Sequence, residues 1–167
     1  MSIRGRIFII VMSCLSLGLV FAFIVAERDL GASLQDQIQI ELQKQGQIIQ
    51  SSLGSLSQYN DLNSLKDETD VFAEASRSRV TLIDSYGVVI SDSNIDVDDL
   101  DLIDNHSNRP EIIDAQNNGM GWSRRFSDTV QQEMLYFAIL DASAGQQGVI
   151  RLAVPYNYFD QAFRSLN

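Results

Sequence analysis

RVTLIDSYGVVISDS, residues 79–93, is where the chain changes period. Before it, apolar residues recur at helical spacing; within it, they alternate or gather in short β-branched blocks. RVTLID (79–84) and GVVIS (87–91) read as strands, with Ser85-Tyr86-Gly87 as a tight hairpin turn between them. Three further segments share this character: GWSRRFS (121–127), EMLYFAIL (133–140) and GVIRLAV (148–154). ASAGQQ (142–147) supplies the loop of a second hairpin. Between the second and third strands lie about thirty residues, too many for a bare loop, so that connection should hold helices. One is signalled from Pro110 to Asn117 and stopped by Asn118-Gly119. The expected fold is α+β: a five-stranded antiparallel sheet with its helices gathered on one face.

Outward from that sheet the chain is helical on both sides. A helix from about Ser64 to Ser76 should bury Leu65, Phe72 and Ala75, and YNYFDQAFRSLN after Pro155 reads as a C-terminal helix over 157–167. Ahead of the turn-rich GSLSQYNDLN (54–63), residues 27–57 form an amphipathic stem. Leu34, Ile38, Leu42, Ile49, Leu53 and Leu56 make its apolar stripe, and Ile40 falls off it. The stripe does not hold a strict heptad, so the stem is read either as a helix packed on its own domain or as a dimer stem.

IFIIVMSCLSLGLVFAFIVA, residues 7–26, contains no charge and is long enough as a helix to cross a bilayer. Ile24-Val25-Ala26 places a bulky residue where signal cleavage wants a small one, so the span is read as a retained anchor. Cys14, the sole cysteine, reads as a small hydrophobe within it. Arg4 and Arg6 lie on one side, Glu27 and Asp29 on the other, which keeps residues 1–6 cytoplasmic and exports the remainder. Of the 12 Lys and Arg only those two arginines precede Ala26, whereas all 22 Asp and Glu follow it, leaving the exported part at net −12. Such a charge excludes a nucleic-acid binder.

Tests for chemistry mostly fail. The run DSNIDVDDLDLID (92–104) has Val97 and Ile103 where a helix-loop-helix calcium site needs Gly and Glu, and reads as a solvated acidic loop. His106 is the only histidine and has no cysteine near it, so no zinc site and no catalytic set can be assembled; no metal and no cofactor are expected. In NHSNRPEI (105–112), His106, Arg109, Pro110 and Glu111 read as a structural latch. Pro110 opens a helix, Glu111 suits the dipole of its first turn, and Arg109 is held extended ahead of the proline. Arg109 is expected to hold the acidic loop Asp96 to Asp104. If a ligand binds, an anionic or polar one is expected at Arg109, at Arg124 or Arg125, and at Tyr136. Direct binding of phosphate is not expected against the overall charge.

Taken in order, RVTLIDSYGVVISDS, NHSNRPEI, GWSRRFSDTVQQEMLYFAI and GVIRLAVP resemble the extracytoplasmic sensor region of bacterial sensor histidine kinases of the phosphate-regulon and cell-wall-stress type. The resemblance runs from about residue 79 to 155 and implies a PAS-like or single-Cache domain, here 58–156. It implies a receptor with two membrane helices, the input half of a two-component system, in which 157–167 leads to a second span. The chain is then a fragment ending at that boundary, or a truncated relative. Kinase chemistry would belong to a part beyond Asn167, so the chain itself is expected not to be an enzyme. The implied partners are the inner membrane, a second copy of the chain, and an envelope protein or transporter. A small-molecule ligand is left unidentified. A chemoreceptor or cyclase head, or a stand-alone anchored scaffold, are the alternatives.

Overall fold

The computed structural model describes residues 3–53, 61–127, 130–141 and 148–156, with the side chains of 6, 10 and 26–35 undescribed. The chain divides into two compact units, Met1–Ile38 and Gln39–Asn167. In the first, helix α1 (Ile3–Ser52) begins with an apolar span, Ile3–Val25, of 23 residues and mean hydropathy 2.8. Its described side chains are exposed; in water such a surface would be untenable, and it has the length and composition of a membrane-crossing helix.

The second unit holds the rest of α1, then α2 (Leu62–Ser76), β1 (Arg79–Ile83), β2 (Val89–Asp92), a 3-10 helix (Val97–Leu102), α3 (Pro110–Asn118), β3 (Met120–Ser127), β4 (Gln132–Asp141) and β5 (Gly148–Pro155). All five strands form one sheet in the order β2-β1-β5-β4-β3, every pairing antiparallel. The α+β reading and its five strands are thus observed. The first turn is longer than expected, because the Asp84 carboxylate accepts from the N–H groups of both Tyr86 and Val88, delaying β2 to Val89.

Helices cover both faces of the sheet rather than one. On the first face α1 approaches so closely that a Cβ on Gly46 would stand 2.5 Å from the Phe137 ring. Leu42, Ile49 and Leu53 are buried on the same stripe, while Ile40 and Ile48 are exposed. Leu34 and Leu56, also placed on that stripe, lie outside the described side chains. Alternation along the strands puts Val80, Leu82, Leu135, Phe137, Ile139, Ile150, Leu152 and Val154 on this face, all buried. Helix α2 covers β1 and β2 here. It starts at Leu62, earlier than expected, because the Asp61 carboxylate caps the N–H of Asn63. Its buried positions are Leu65, Thr69 and Ser76, not the expected trio: Phe72 is half-buried and Ala75 exposed. Thr69 can be buried because its hydroxyl donates to the Leu65 carbonyl and accepts from Ser91.

The opposite face is covered by α3, seated over Gly121, whose missing side chain makes room for the Glu111 carbonyl and Ala115. Pro110 opens α3 and Gly119, at φ 86°, ends it. Ile83, Val89, Leu100, Ile112, Ala115, Ala138 and Val149 form the apolar core of this side. The acidic connection is not a plain loop: Val97–Leu102 turn as a 3-10 helix that buries Leu100 beneath its aspartates. The expected hairpin loop 142–147, most of the break 54–63 and the C-terminal helix 157–167 lie outside the described residues.

Candidate functional site

On the α3 face, between the apolar core and the far end of the sheet, a chain of polar side chains crosses four strands. Glu111, fully buried at the start of α3, accepts a hydrogen bond from Ser123 of β3 at 2.5 Å. Its other oxygen faces Arg125 at 3.4 Å and Arg151 at 3.7 Å. Arg151, in the middle of β5 and only 3% exposed, also donates to Thr81 at 3.1 Å. Thr81 in turn donates to Asp92 at 2.7 Å, and Asp92 accepts from Arg79 at 2.9 Å. Strand register creates this chain: Thr81 lies opposite both Asp92 and Arg151, and Arg151 opposite Ala138. Tyr136 lies beneath it, its ring 4.1 Å from the Arg125 guanidinium and 5.4 Å from that of Arg151.

The electrostatics follow from burial and neighbours. Burial alone would raise the Glu111 pKa. The hydrogen bonds from Ser123 and from its own backbone N–H, with the nearby Arg125 and Arg151, outweigh burial and leave it below the usual carboxylate range. Burial pushes Arg151 down to about 10, against the attraction of Glu111, so it stays a cation at neutral pH. His106 is lowered to about 4, first by burial and then by Arg151, with Arg109 and Arg125 adding to it. Its Nδ1 is 2.7 Å from the Asp104 carbonyl, which can only accept, so the neutral ring carries its proton there. The His106 backbone N–H donates to Gly87 at 2.7 Å, tying this connection to the first hairpin.

The residues singled out from sequence separate. Arg125, Tyr136 and Glu111 come together on the α3 face, while His106 and Arg109 lie in the connection just ahead of α3. Arg124 is on the other face, half-exposed, paired with Glu133 at 2.6 Å and lying over Tyr156. Pro110 opens α3 as expected, but Arg109 does not hold the acidic loop. Among the described residues its guanidinium makes no ion pair or side-chain hydrogen bond, and its Nε is buried without a partner. Held extended before Pro110, Arg109 instead lies near His106, whose pKa its charge helps to lower. Thr81, Asp92, Ser123 and Arg151 were not singled out. The available signal was Arg151 itself, a lone charge in the otherwise apolar strand GVIRLAVP, which burial obliges to find partners. Among the described residues no three His, Cys, Asp or Glu side chains are grouped to hold a metal.

No protein-family model and no curated protein matches the sequence. Solved structures do match. An extracellular ligand binding receptor from Desulfohalobium retbaense superposes with a TM-score of 0.63 at 10% identity, over 78% of this chain and 25% of that one. The ligand-binding domain of Campylobacter jejuni chemoreceptor Tlp3, in complex with 4-methylisoleucine, gives 0.59 at 12% identity over 76% and 56%. The sensor domain of the V. cholerae histidine kinase DctB gives 0.53 at 17% identity over 77% and 58%. The fold is that of bacterial extracytoplasmic sensory domains. At these identities it is the fold alone that is shared, and the chain spans between a quarter and just over half of those chains' lengths.

Cavities lie at both ends of the sheet. A cavity of about 440 Å³ lies where β1 begins and β5 ends, lined by Arg77, Arg79, Asn94, Met134, Ala153 and Pro155 among others. Met134 and Ala153 pack directly with Tyr136, so the cavity borders the arginine network. A smaller cavity of about 260 Å³ lies at the opposite end, by Ser85, Gln116, Leu140 and Val149.

Proposed function

We propose that the chain is the extracytoplasmic input module of a bacterial transmembrane sensor, and that its output is a two-component histidine kinase of the phosphate-regulon type. The observation that carries this reading is a single element: α1 contains both a membrane-length apolar span and, at Gly46, the segment seated against Phe137 of the sheet. A stimulus that repacks the sheet therefore acts on the helix that carries the span. The sensory fold supports the input role, and the ordered motifs from residue 79 to 155 support the kinase type. The module carries no catalysis of its own. It works as a homodimer in the inner membrane, with an envelope protein or transporter as a further partner.

A chemoreceptor output is the second reading, favoured by the likeness to the Tlp3 domain. Native membranes containing the full gene product, incubated with γ-labelled ATP, separate the two. The kinase reading expects an acid-labile, base-stable phosphoryl label on the protein. Absence of label together with methylation of glutamyl side chains would overturn it in favour of the chemoreceptor.

A further inference from the structure

Two backbone strains meet at one cavity. Among the described residues only Arg77 (φ 50°) and Gln131 (φ 53°) hold a positive φ without being glycine. Arg77 lines the cavity of about 440 Å³, and Gln131 stands between two further lining residues, Val130 and Gln132. Arg77 occupies the position closing α2 where a glycine would sit without strain, and its backbone N–H bonds the Glu74 carbonyl. A cation near a helix C-terminus suits the dipole, but any residue of the last turn would serve that purpose. The helix therefore does not account for an arginine at the strained position. Strain of this kind gathers at binding sites.

The spare polar groups around the cavity are donors. The Arg77 side chain has no ion pair or hydrogen bond among the described residues. Arg79 gives its Nε to both oxygens of Asp92, at 2.9 and 3.1 Å, and its terminal nitrogens have no partner among the described residues. The Asn94 side-chain oxygen accepts from Ser93, which leaves its amide nitrogen spare. The lining carboxylate, Asp70, has both oxygens on Lys66 at 2.6 Å. Charge thus cancels around the cavity except at Arg77. Met134, Ala153 and Pro155 supply an apolar wall beside these donors.

We propose that this cavity binds a phosphodiester, with Arg77 and Arg79 taking its two unesterified oxygens and the apolar wall receiving its organic substituent. Guanidinium forks match phosphate oxygens, and the single negative charge of a diester matches the single uncompensated cation. Inorganic phosphate carries more than one charge at neutral pH, and the excess would be repelled by an exported part at net −12. A phosphodiester reaches the site either as a lipid headgroup or as a free glycerophosphodiester. The proposal goes beyond the sensory reading and holds for a kinase or a chemoreceptor output alike.

The test uses the whole chain in maltoside micelles, followed by calorimetry and by thermal unfolding. The probes are glycerophosphoglycerol and dioctanoyl phosphatidylglycerol, with inorganic phosphate at matched ionic strength as the contrast. Saturable binding of at least one diester is expected, and a rise in Tm with it. Equal affinity for the two assigns the free diester; tighter binding of the acylated one assigns the lipid. Arg77→Gly removes the guanidinium and relieves the strain, so the ligand-free Tm should be unchanged or higher. Diester binding should nevertheless weaken by roughly ten- to a hundredfold. Arg77→Gln repeats the loss with a side chain of similar reach, and neither substitution alters partition of a lipid into the micelle. No binding of either diester, phosphate bound as tightly, or affinity retained in both variants would overturn the site.

Discussion

Strand β4 shows both chemistries of the molecule in alternate residues. Leu135, Phe137 and Ile139 point to the face that carries α1; Met134, Tyr136 and Ala138 point to the face under α3. The first face is held by area. Leu82, Phe137 and Leu152 are completely buried, each contributing about 2 kcal/mol. The second face is held by matching donors to acceptors, and there the matching is incomplete. An area-driven face transmits displacement, because packed side chains cannot yield independently. A charge-driven face with unfilled donors responds to whatever fills them. One sheet therefore carries an area-packed face and a polar, charge-matched face back to back.

Four substitutions or conditions break that contrast, in falling order of effect. Phe137→Ala empties the space under Gly46 and beside Trp122, whose ring is 4.4 Å away, and should cost about 4 kcal/mol in chemical denaturation. A loss below about 1 kcal/mol would mean that α1 is not seated there. Glu111→Gln keeps the bond to Ser123 but leaves Arg125 and Arg151 with no carboxylate between them, and should cost about 3 kcal/mol. A neutral result would show that the arginines are already compensated by solvent.

Acidification is next. His106 has a folded pKa of about 4 against an ordinary 6.5, so between those values the unfolded chain binds a proton that the folded chain does not. Glu111, held below its ordinary 4.5, loses its contribution as pH falls further, through its folded value. Both act in one direction. Stability should be level above neutrality and fall from pH 6.5 downward, and His106→Gln should flatten the upper part of that slope. A Tm that rises on acidification would contradict both assignments. The smallest effect belongs to Arg124→Ala: its pair with Glu133 is half-exposed, so the loss should stay within about 0.5 kcal/mol.

The strands were legible because alternation is a local property. RVTLI and GVIRLAVP announce themselves within a few residues, and Pro110 and Gly119 bracket α3 by their backbone chemistry alone. The network was not legible, because Thr81, Asp92, Ser123 and Arg151 meet only through strand order, and Thr81 and Arg151 are 70 residues apart. Arg109 illustrates the difference. Its restricted backbone before proline could be read in advance, but what its side chain would meet could not. Arg124 and Arg125 could not be ranked until one face was known to hold Tyr136. The helices were placed on a single face because the stem and α3 both read as amphipathic, and nothing local states which side of a sheet each will cover.

The central claim is that the two faces of this sheet are coupled, and the single tryptophan stands on the face opposite Glu111 and Arg151. Trp122 fluorescence of the whole chain in nanodiscs, compared between the unmodified protein and Glu111→Gln with both folded, tests this directly. The expected result is a shifted emission in Glu111→Gln. An unmoved Trp122 emission in a folded Glu111→Gln variant would contradict the account.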